Sequence, residues 1–293
     1  MAFSYRRQSQ KAGFTWNQAF RKTLRRIFWL MFWGVLIYGV RDNHINLQFS
    51  NVLCQMSLGT LIVILIIRLN AGWQFAISLL CLLVPELLYR FSHIPGFDQP
   101  FVPLHNFGNY IDLVLIGHVN GHYSPAVDMI PCSTYMIWGL MAGNSLQSPQ
   151  PDLRKVSVLA IAGMISIALG VIMDLAGITP ILKWLISSSF VLVTGGAALV
   201  GLALLYDWID VRKHTRYLDF FTIVGKNSIF IYLVMTFLSV KVLFQNFDPI
   251  LTGLASLSGL SVNFALVVSA AIIFVLEWLL CNFLYQKKLF FKL

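Results

Sequence analysis

Residues 156–173 have the sequence VSVLAIAGMISIALGVIM, eighteen consecutive residues without a charged side chain. A helix rises about 1.5 Å per residue, so a helix of this length nearly matches a hydrocarbon core about 30 Å thick. The stretch predicts a membrane-spanning helix, and the rest of the chain is interpreted around it.

The same criterion finds eight apolar runs in all. They are residues 27–41, 51–68, 72–90, 129–146, 156–174, 184–206, 220–241 and 262–284. The chain is 58% hydrophobic and 11% charged, and its mean hydropathy is +0.75, which leaves too little polar surface for a water-soluble globule. We therefore predict an all-α, polytopic integral membrane protein with about eight transmembrane helices.

The net charge of +9 is distributed unevenly between the two sides that eight spans define. With the N-terminus inside, sixteen Lys and Arg residues fall in inner segments, and only Arg41, Arg90, Lys183 and Lys241 fall in outer segments. Basic residues collect in cytoplasmic loops, so both termini are expected in the cytoplasm. The same rule explains the positive charge without a nucleic-acid partner.

Two segments differ from the apolar runs. Residues 1–26 are basic with interleaved aromatic residues, which predicts an amphipathic cytoplasmic segment on the bilayer surface. Residues 27–293 are predicted to form one transmembrane domain with an outer loop at about 91–128, which holds four of the six histidines. Residues 109–119 of that loop predict an interfacial or re-entrant helix. The four cysteines lack CxxC spacing, so neither a zinc site nor a disulfide framework is predicted.

The loop histidines are candidates for chemistry, because an imidazole is partly neutral near pH 7 and serves as a general base. His105, followed by Asn106, is the candidate catalytic pair, with ordinary exposed loop residues as the alternative. His118 and His122 have the spacing of helical metal ligands, but Gly121 between them argues against a helix. No metal is expected.

Charged residues inside apolar runs are costly and are therefore candidates for function. Lys226 and Glu277 lie at similar predicted depths and are expected to pair, either lining a polar cavity or holding the last two helices together. Glu86 is expected to be a water-exposed or snorkelling carboxylate, with a catalytic role as the alternative.

Five motifs occur in a consistent order. They are NVLCQ at 51–55, NYIDLVLIG at 109–117, MIPCSTYMIWGLMAG at 129–143, WLISSSFVLVTGGAALVGLALLYDWIDV at 184–211 and FFTIVGKNSIFIYLV at 220–234. Together they resemble the heparan-α-glucosaminide N-acetyltransferase family and its uncharacterised bacterial branch, over about residues 1–240. Family members usually begin with a Leu-Asp-x-x-Arg-Gly helix and a His-x-x-Trp-x-Gly segment, and neither occurs here. Gln55 stands where the family often has Arg, and the chain is expected to be a truncated relative.

The resemblance implies a membrane acyltransferase in a bacterial inner membrane. Such an enzyme moves an acyl group from cytoplasmic acetyl-CoA, or another acyl-CoA, to a sugar or other acceptor on the outer face. The expected partners are the lipid bilayer and a glycan acceptor, and the candidate substrate or cavity residues are Lys226, Asn227, Glu277 and Asp112. A transporter or carrier of a glycan-type substrate, or an inactive truncated family member, are the alternatives.

Overall fold

A computed structural model of the chain describes residues 15–42, 49–119, 124–216, 218–237, 248–253 and 261–290. Within these ranges the chain forms helices and turns and no β-strand, which confirms the predicted all-α fold class. The chain divides into two compact units, Met1–His214 (unit 1) and Thr215–Leu293 (unit 2).

The described part of unit 1 contains seven α-helices. They are α1 (Trp16–Asp42), α2 (Val52–Ile66), α3 (Ala71–Phe91), α4 (Phe107–Ile116), α5 (Met129–Leu146), α6 (Asp152–Leu175) and α7 (Ser188–Tyr206). A 3₁₀ turn, Ala126–Asp128, precedes α5, and a π-helical turn, Asp207–Val211, extends α7. Unit 2 contains α8 (Leu218–Lys226), α9 (Ser228–Phe237), a helical turn at 248–253 and α10 (Val262–Gln286).

Four helices are long and apolar enough to cross a membrane: α3, α6, α10 and α7 with its π turn. The pair α8 and α9 counts as a fifth if the two are one broken span. These helices are compatible with an integral membrane protein. The predicted count of eight is not reached by this measure, because α2 has only 15 residues and neither α1 nor α5 is among the helices that pass. Eight spans, with both termini inside, stay a prediction.

Side-chain caps fix where several helices begin. Asn51, Asn70 and Ser187 each precede a helix in non-helical backbone and accept a hydrogen bond from the backbone N–H three residues later. Asn106 caps α4 in the same way. These residue types satisfy N–H groups that the first helical turn leaves unpaired. The cap on α4 matters most, because this helix carries the candidate site.

The first helix crosses a predicted boundary. α1 continues without a break across residues 26 and 27, so the basic segment and the first apolar run are one helix from Trp16 onward. The guanidinium of Arg68, which follows α2, lies 5.5 Å from the centre of the Trp16 ring. The start of α1 therefore lies beside the end of α2.

The helices α3 and α5, and likewise α6 and α7, pack against each other in antiparallel pairs, so the helix ends of unit 1 lie at two opposite ends. Trp138 of α5 donates from Nε1 to Oγ of Ser78 on α3 at 3.1 Å, while Tyr89 near the end of α3 contacts Asp128 just before α5. α6 and α7 pair in the same manner, since Tyr206 at the end of α7 donates to the first residue of α6 at 2.8 Å. The basic end of unit 1 is defined by Arg68, Arg154, Lys155 and Arg212. The acidic end is defined by Asp112 and Asp128.

The run predicted as one span at 220–241 is interrupted. α8 and α9 meet at an angle of 65° with Asn227 between them, and residues 238–241 lie outside the described residues. Gly225 and Asn227 are both poor helix formers, and the carbonyl of Asn227 accepts the first bond of α9, from Ile231 at 3.0 Å. The break therefore has a local cause in the sequence.

Candidate functional site

α4 presents polar residues on one face of an otherwise apolar helix. Asn109 and Asp112 lie one helical turn apart, and both are buried, at 0% and 1% exposure. Residues 113–115 on the other side are exposed and apolar, and Gly117 ends the helix in a left-handed conformation with φ of 83°. The buried polar face of α4 points into unit 1.

The turn before α5 brings a second carboxylate to that face. The backbone N–H of Ala126 donates to Asp112 Oδ1 at 2.9 Å, and Asp128 follows two residues later with 0% exposure. Tyr89 of α3 donates its hydroxyl to Asp128 Oδ1 at 3.5 Å. Tyr89, Asn109, Asp112 and Asp128 therefore form one buried group, the acidic cluster, built from three separate stretches of the chain.

The backbone is packed tightly against this cluster. A Cβ atom on Gly108 would lie 2.5 Å from Cγ of Pro125 and would overlap the hydroxyl of Tyr89. Only glycine allows α4 to approach this closely. The cavity beside the cluster, lined by Tyr89, Pro131 and Ser188 among others, has a volume of only about 10 Å³.

Four polar atoms of the acidic cluster have no hydrogen-bond partner among the described residues. They are Nδ2 and Oδ1 of Asn109, Oδ2 of Asp112 and Oδ2 of Asp128. An unpaired buried polar atom costs about 1–3 kcal/mol, and more when it is charged. Native structures keep such groups few, so a concentration of four marks the acidic cluster as a candidate site.

The electrostatics of the two carboxyl groups follow from their burial. Burial raises the pKa of Asp112 to about 6, against smaller opposing effects of the Ala126 N–H and of His118. Burial also raises the pKa of Asp128 well above its ordinary value, and repulsion from Asp112 raises it further. Both carboxyl groups therefore keep their protons to a higher pH than an exposed aspartate does.

An ion pair lies close to the acidic cluster on α3. Glu86 Oε1 binds Nε of Arg90 at 2.8 Å and accepts a hydrogen bond from the hydroxyl of Thr179 at 2.6 Å. The Glu86 side chain is 12% exposed, so it is mostly covered by this network and is not the water-exposed carboxylate that the sequence predicted. Because Arg90 also lies over the Phe101 ring, the network ties α3 to two loops of the acidic end.

A second feature of unit 1 is a cavity of about 550 Å³ near the basic end. It lies between α3, α5, α6 and α7 and is lined mainly by apolar side chains, including Phe75, Val158 and Ala162. Gln74 and Asn144 contribute polar groups to its wall. We call it the lateral cavity, because Val158 and Ala162 are exposed residues of the helix surface. Its volume is within the usual range of ligand sites.

Two buried polar residues of α3 extend from the lateral cavity toward the acidic cluster. Gln74 borders the cavity and is 2% exposed, and Ser78 follows one turn later with 0% exposure. Ser78 accepts from Trp138, and its carbonyl accepts from Thr134 at 3.3 Å. The buried polar residues of α3 stop at Ser78, because the buried residues between Ser78 and Glu86, over a rise of about 12 Å, are Cys81, Leu82 and Pro85.

The predicted catalytic pair is divided between two environments. His105 is exposed, and its Nδ1 lies 3.3 Å from the carbonyl oxygen of Gly96. Asn106 is buried and uses its amide to cap α4 and to donate to the carbonyl of Val102 at 3.0 Å. The geometry gives Asn106 a structural task and does not direct His105 toward the acidic cluster.

The other candidate residues lie in different parts of the chain. Asp112 belongs to the acidic cluster, as described. Lys226 lies at the end of α8 and places its ammonium 4.6 Å from the centre of the Tyr285 ring, and Asn227 is buried at the α8–α9 break. Glu277 does not form the expected ion pair with Lys226 in the described structure. Tyr285 lies eight residues beyond Glu277, about 12 Å along the helix, which explains the mismatch in register.

The predicted absence of a metal stays a prediction. His122 lies outside the described residues, so its spacing to His118 is not resolved structurally. Among the residues that are described, no group of three or more His, Cys, Asp or Glu side chains could hold a metal ion.

Tyr89, Asn109 and Asp128 are not among the predicted site residues. Asp128 directly precedes an apolar run, and Asn109 lies one turn before Asp112 on a short apolar helix. Both patterns are signals of a buried polar face. No local signal distinguishes Tyr89, because only the packing of α3 against α4 brings it to the carboxylates.

Comparison with known proteins adds no family assignment. No family model matches the chain, and no curated protein is significantly similar to it. The resemblance to the N-acetyltransferase family therefore stays a prediction from motifs.

Proposed function

We propose that the chain is a membrane acyltransferase that takes an acyl group from a coenzyme A thioester and passes it to an acceptor at the acidic end. The observation that carries the proposal is the lateral cavity of about 550 Å³ at the basic end. An apolar wall with three polar side chains, Gln74, Asn144 and Ser145, suits an acyl group on a pantetheine arm, which has amide groups along an otherwise apolar chain.

Arginines near this cavity suit the phosphates of coenzyme A. Arg154, Val158 and Ala162 are spaced four residues apart on α6, so they share one face of the helix. Val158 and Ala162 line the cavity, and Arg154 is exposed one turn beyond them. Arg68 directly precedes Leu69, which also lines the cavity. Arginine binds phosphate through a planar set of donors, which favours a polyanionic donor at this end.

The two ends of unit 1 are proposed to face opposite sides of the membrane. The basic end is assigned to the cytoplasm by the excess of Lys and Arg in the predicted inner loops, and the membrane is proposed to be a bacterial inner membrane. The acceptor, a sugar or other hydroxyl or amine compound, would then approach the acidic end from outside. Gln74 and Ser78, both buried, extend the polar part of the cavity wall by one turn of α3 toward the acidic end.

Binding of acyl-CoA by the full chain in nanodiscs tests this function. Radiolabelled acetyl-CoA and a long-chain acyl-CoA are the probes, and transfer of label to glycan acceptors is followed in proteoliposomes. Ala162→Phe places a phenyl ring in the lateral cavity and is expected to weaken acyl-CoA binding about tenfold or more.

Ala168→Phe is the matched control, because Ala168 is also an exposed alanine of α6 but does not line the cavity. It is expected to bind acyl-CoA like the wild type. The proposal fails if the wild type binds no acyl-CoA, or if both phenylalanine variants bind equally well.

A second candidate function, a transporter or carrier of a glycan-type substrate, is favoured by the break between α8 and α9. Broken helices with polar residues at the break form substrate sites in many transporters, and Lys226 and Asn227 lie at this one. Uptake of a labelled oligosaccharide into proteoliposomes without acyl-CoA would support the carrier. Uptake lost on Lys226→Met, with no acyl transfer by the wild type, would replace the acyltransferase proposal.

A further inference from the structure

We propose that Asp112 and Asp128 form a proton-binding site, in which one proton resides on Asp128 Oδ2. The inference concerns the acidic cluster alone and does not depend on the proposed acyl transfer. It rests first on the unpaired atoms of the cluster.

The two carboxyl groups have few hydrogen-bond donors. Among the described residues, the N–H of Ala126 donates to Asp112 Oδ1 and the hydroxyl of Tyr89 donates to Asp128 Oδ1. Oδ2 of each carboxyl group has no donor there. A proton on Asp128 Oδ2 removes one of the two buried charges and turns that oxygen from an unpaired acceptor into a donor.

The environment favours Asp128 as the protonated member. Asp112 accepts a backbone hydrogen bond at 2.9 Å, which stabilises its charged form, and the charge of His118 acts in the same direction. Asp128 is 0% exposed, and the one hydrogen bond that its side chain accepts from the described residues is the long 3.5 Å bond from the Tyr89 hydroxyl. Two carboxylates in one buried site share a proton for the same reason elsewhere, since both cannot be charged at low cost.

The other titratable groups around the pair do not remove the need for a proton. Tyr89 faces the pair from α3, Cys132 from the first turn of α5, and His118 from the residues after α4. Tyr89 and Cys132 are neutral or negative when they titrate, so neither neutralises a carboxylate. His118 is exposed, and its effect falls on Asp112.

The packing favours a proton over a larger ligand. The neighbouring cavity of about 10 Å³ is at the lower limit of about 10–15 Å³ that one water molecule requires. Gly108 leaves no room between α4, Tyr89 and Pro125. A hydrated cation or a substrate group would need this packing to open, whereas a proton needs no space.

Infrared difference spectroscopy on the full chain in nanodiscs tests the site. The wild type at neutral pH is expected to show the carbonyl band of a protonated, buried carboxyl group, and Asp128→Asn is expected to remove it. Asp98→Asn is the control, since Asp98 is an exposed aspartate of the same end, and it should leave the band unchanged. Asp112→Asn should retain the band at a shifted frequency, because the neighbouring negative charge is gone.

A second variant keeps the test decisive if Asp128→Asn does not fold. Asp128→Glu retains a carboxyl group in a new position, so it should shift the band without removing it. The proposal is overturned if the band is absent from the wild type or is insensitive to every change at Asp112 and Asp128. It is also overturned if adding Na⁺, K⁺, Mg²⁺ or Ca²⁺ abolishes the band, because the pair would then hold a metal cation instead.

Discussion

A carboxyl group that folding buries beside a second carboxyl group keeps its proton to a higher pH than it does in the unfolded chain. Asp112 is 1% exposed, and burial raises its pKa from an ordinary value of 3.8 to about 6. The folded state therefore binds more protons than the unfolded state between these two values. Stability gained from this difference is complete below the unfolded pKa and is lost as the pH rises through the folded pKa.

Asp112→Asn should therefore change the pH dependence of stability. A difference of about two pKa units corresponds to about 3 kcal/mol, so the wild type should lose about this amount between about pH 4 and about pH 7.5. The Asn variant lacks this loss, and its stability relative to the wild type should rise by about 3 kcal/mol over the same range. Free energies of unfolding in detergent, measured at several pH values, provide the comparison.

The matched substitution for this prediction is Asp98→Asn, on an exposed aspartate. Its stability relative to the wild type should stay constant with pH. A constant difference for Asp112→Asn as well would show that Asp112 is not buried beside a second carboxyl group in solution.

Asp112 illustrates how much of the site the sequence predicts. Its charge in an apolar stretch marks it as a candidate without any structure. Asp128 is sixteen residues away, and Tyr89 is in another apolar run, so only the folded packing of α3, α4 and the turn before α5 brings them together. His105 was predicted from its chemistry alone, and chemistry does not determine where a loop side chain points.

At the scale of the helices, α6 and α7 depend on small residues at their crossing. A Cβ on Gly163 would lie 2.6 Å from the carbonyl oxygen of Gly196, and a Cβ on Gly196 would lie equally close to that of Gly163. The backbones touch at this point, and no side chain stands between them. Close backbone approach is the main source of attraction between helices in lipid, where the hydrophobic effect is absent.

Gly163→Ala should therefore separate α6 from α7 and lower the free energy of unfolding by about 1–3 kcal/mol, the usual cost of overpacking. Gly201→Ala is the control on α7, because a Cβ there would meet nothing within 4 Å. The higher helix propensity of alanine should make that variant neutral or slightly more stable. Equal effects of the two substitutions on unfolding in detergent would contradict close packing at Gly163.

Apolar runs predict helices well and their interruptions poorly. The run at 72–90 corresponds to Ala71–Phe91, and the run at 129–146 has the same bounds as the helix. The run at 220–241 contains a bend of 65° that its apolar pattern does not indicate. One Asn and one Gly lower the helix propensity there, while the residues around them stay hydrophobic. The apolar pattern likewise places the start of the first helix at residue 27, whereas the helix begins at Trp16, within the basic segment.

At the scale of the whole molecule, charge is the strongest predictor of sidedness. Sixteen Lys and Arg residues fall in the predicted inner segments and four in the outer segments, yet the folded chain by itself has no inside or outside. The structure contributes the grouping of helix ends in unit 1, where the residues between α5 and α6 lie at the basic end and those between α3 and α4 at the acidic end. These two loops should therefore face opposite sides of the membrane.

Cysteine labelling in intact bacterial cells measures this directly. Gln150 lies in the loop before α6 and Gln99 in the loop before α4, and both are exposed glutamines, so Gln150→Cys and Gln99→Cys are matched variants. The native cysteines are buried or partly buried and give a low background. An impermeant maleimide should label Gln99→Cys in intact cells and Gln150→Cys only after permeabilisation, because basic loops stay in the cytoplasm. The reverse pattern would invert the molecule and move the lateral cavity, with its arginines, away from cytoplasmic acyl-CoA.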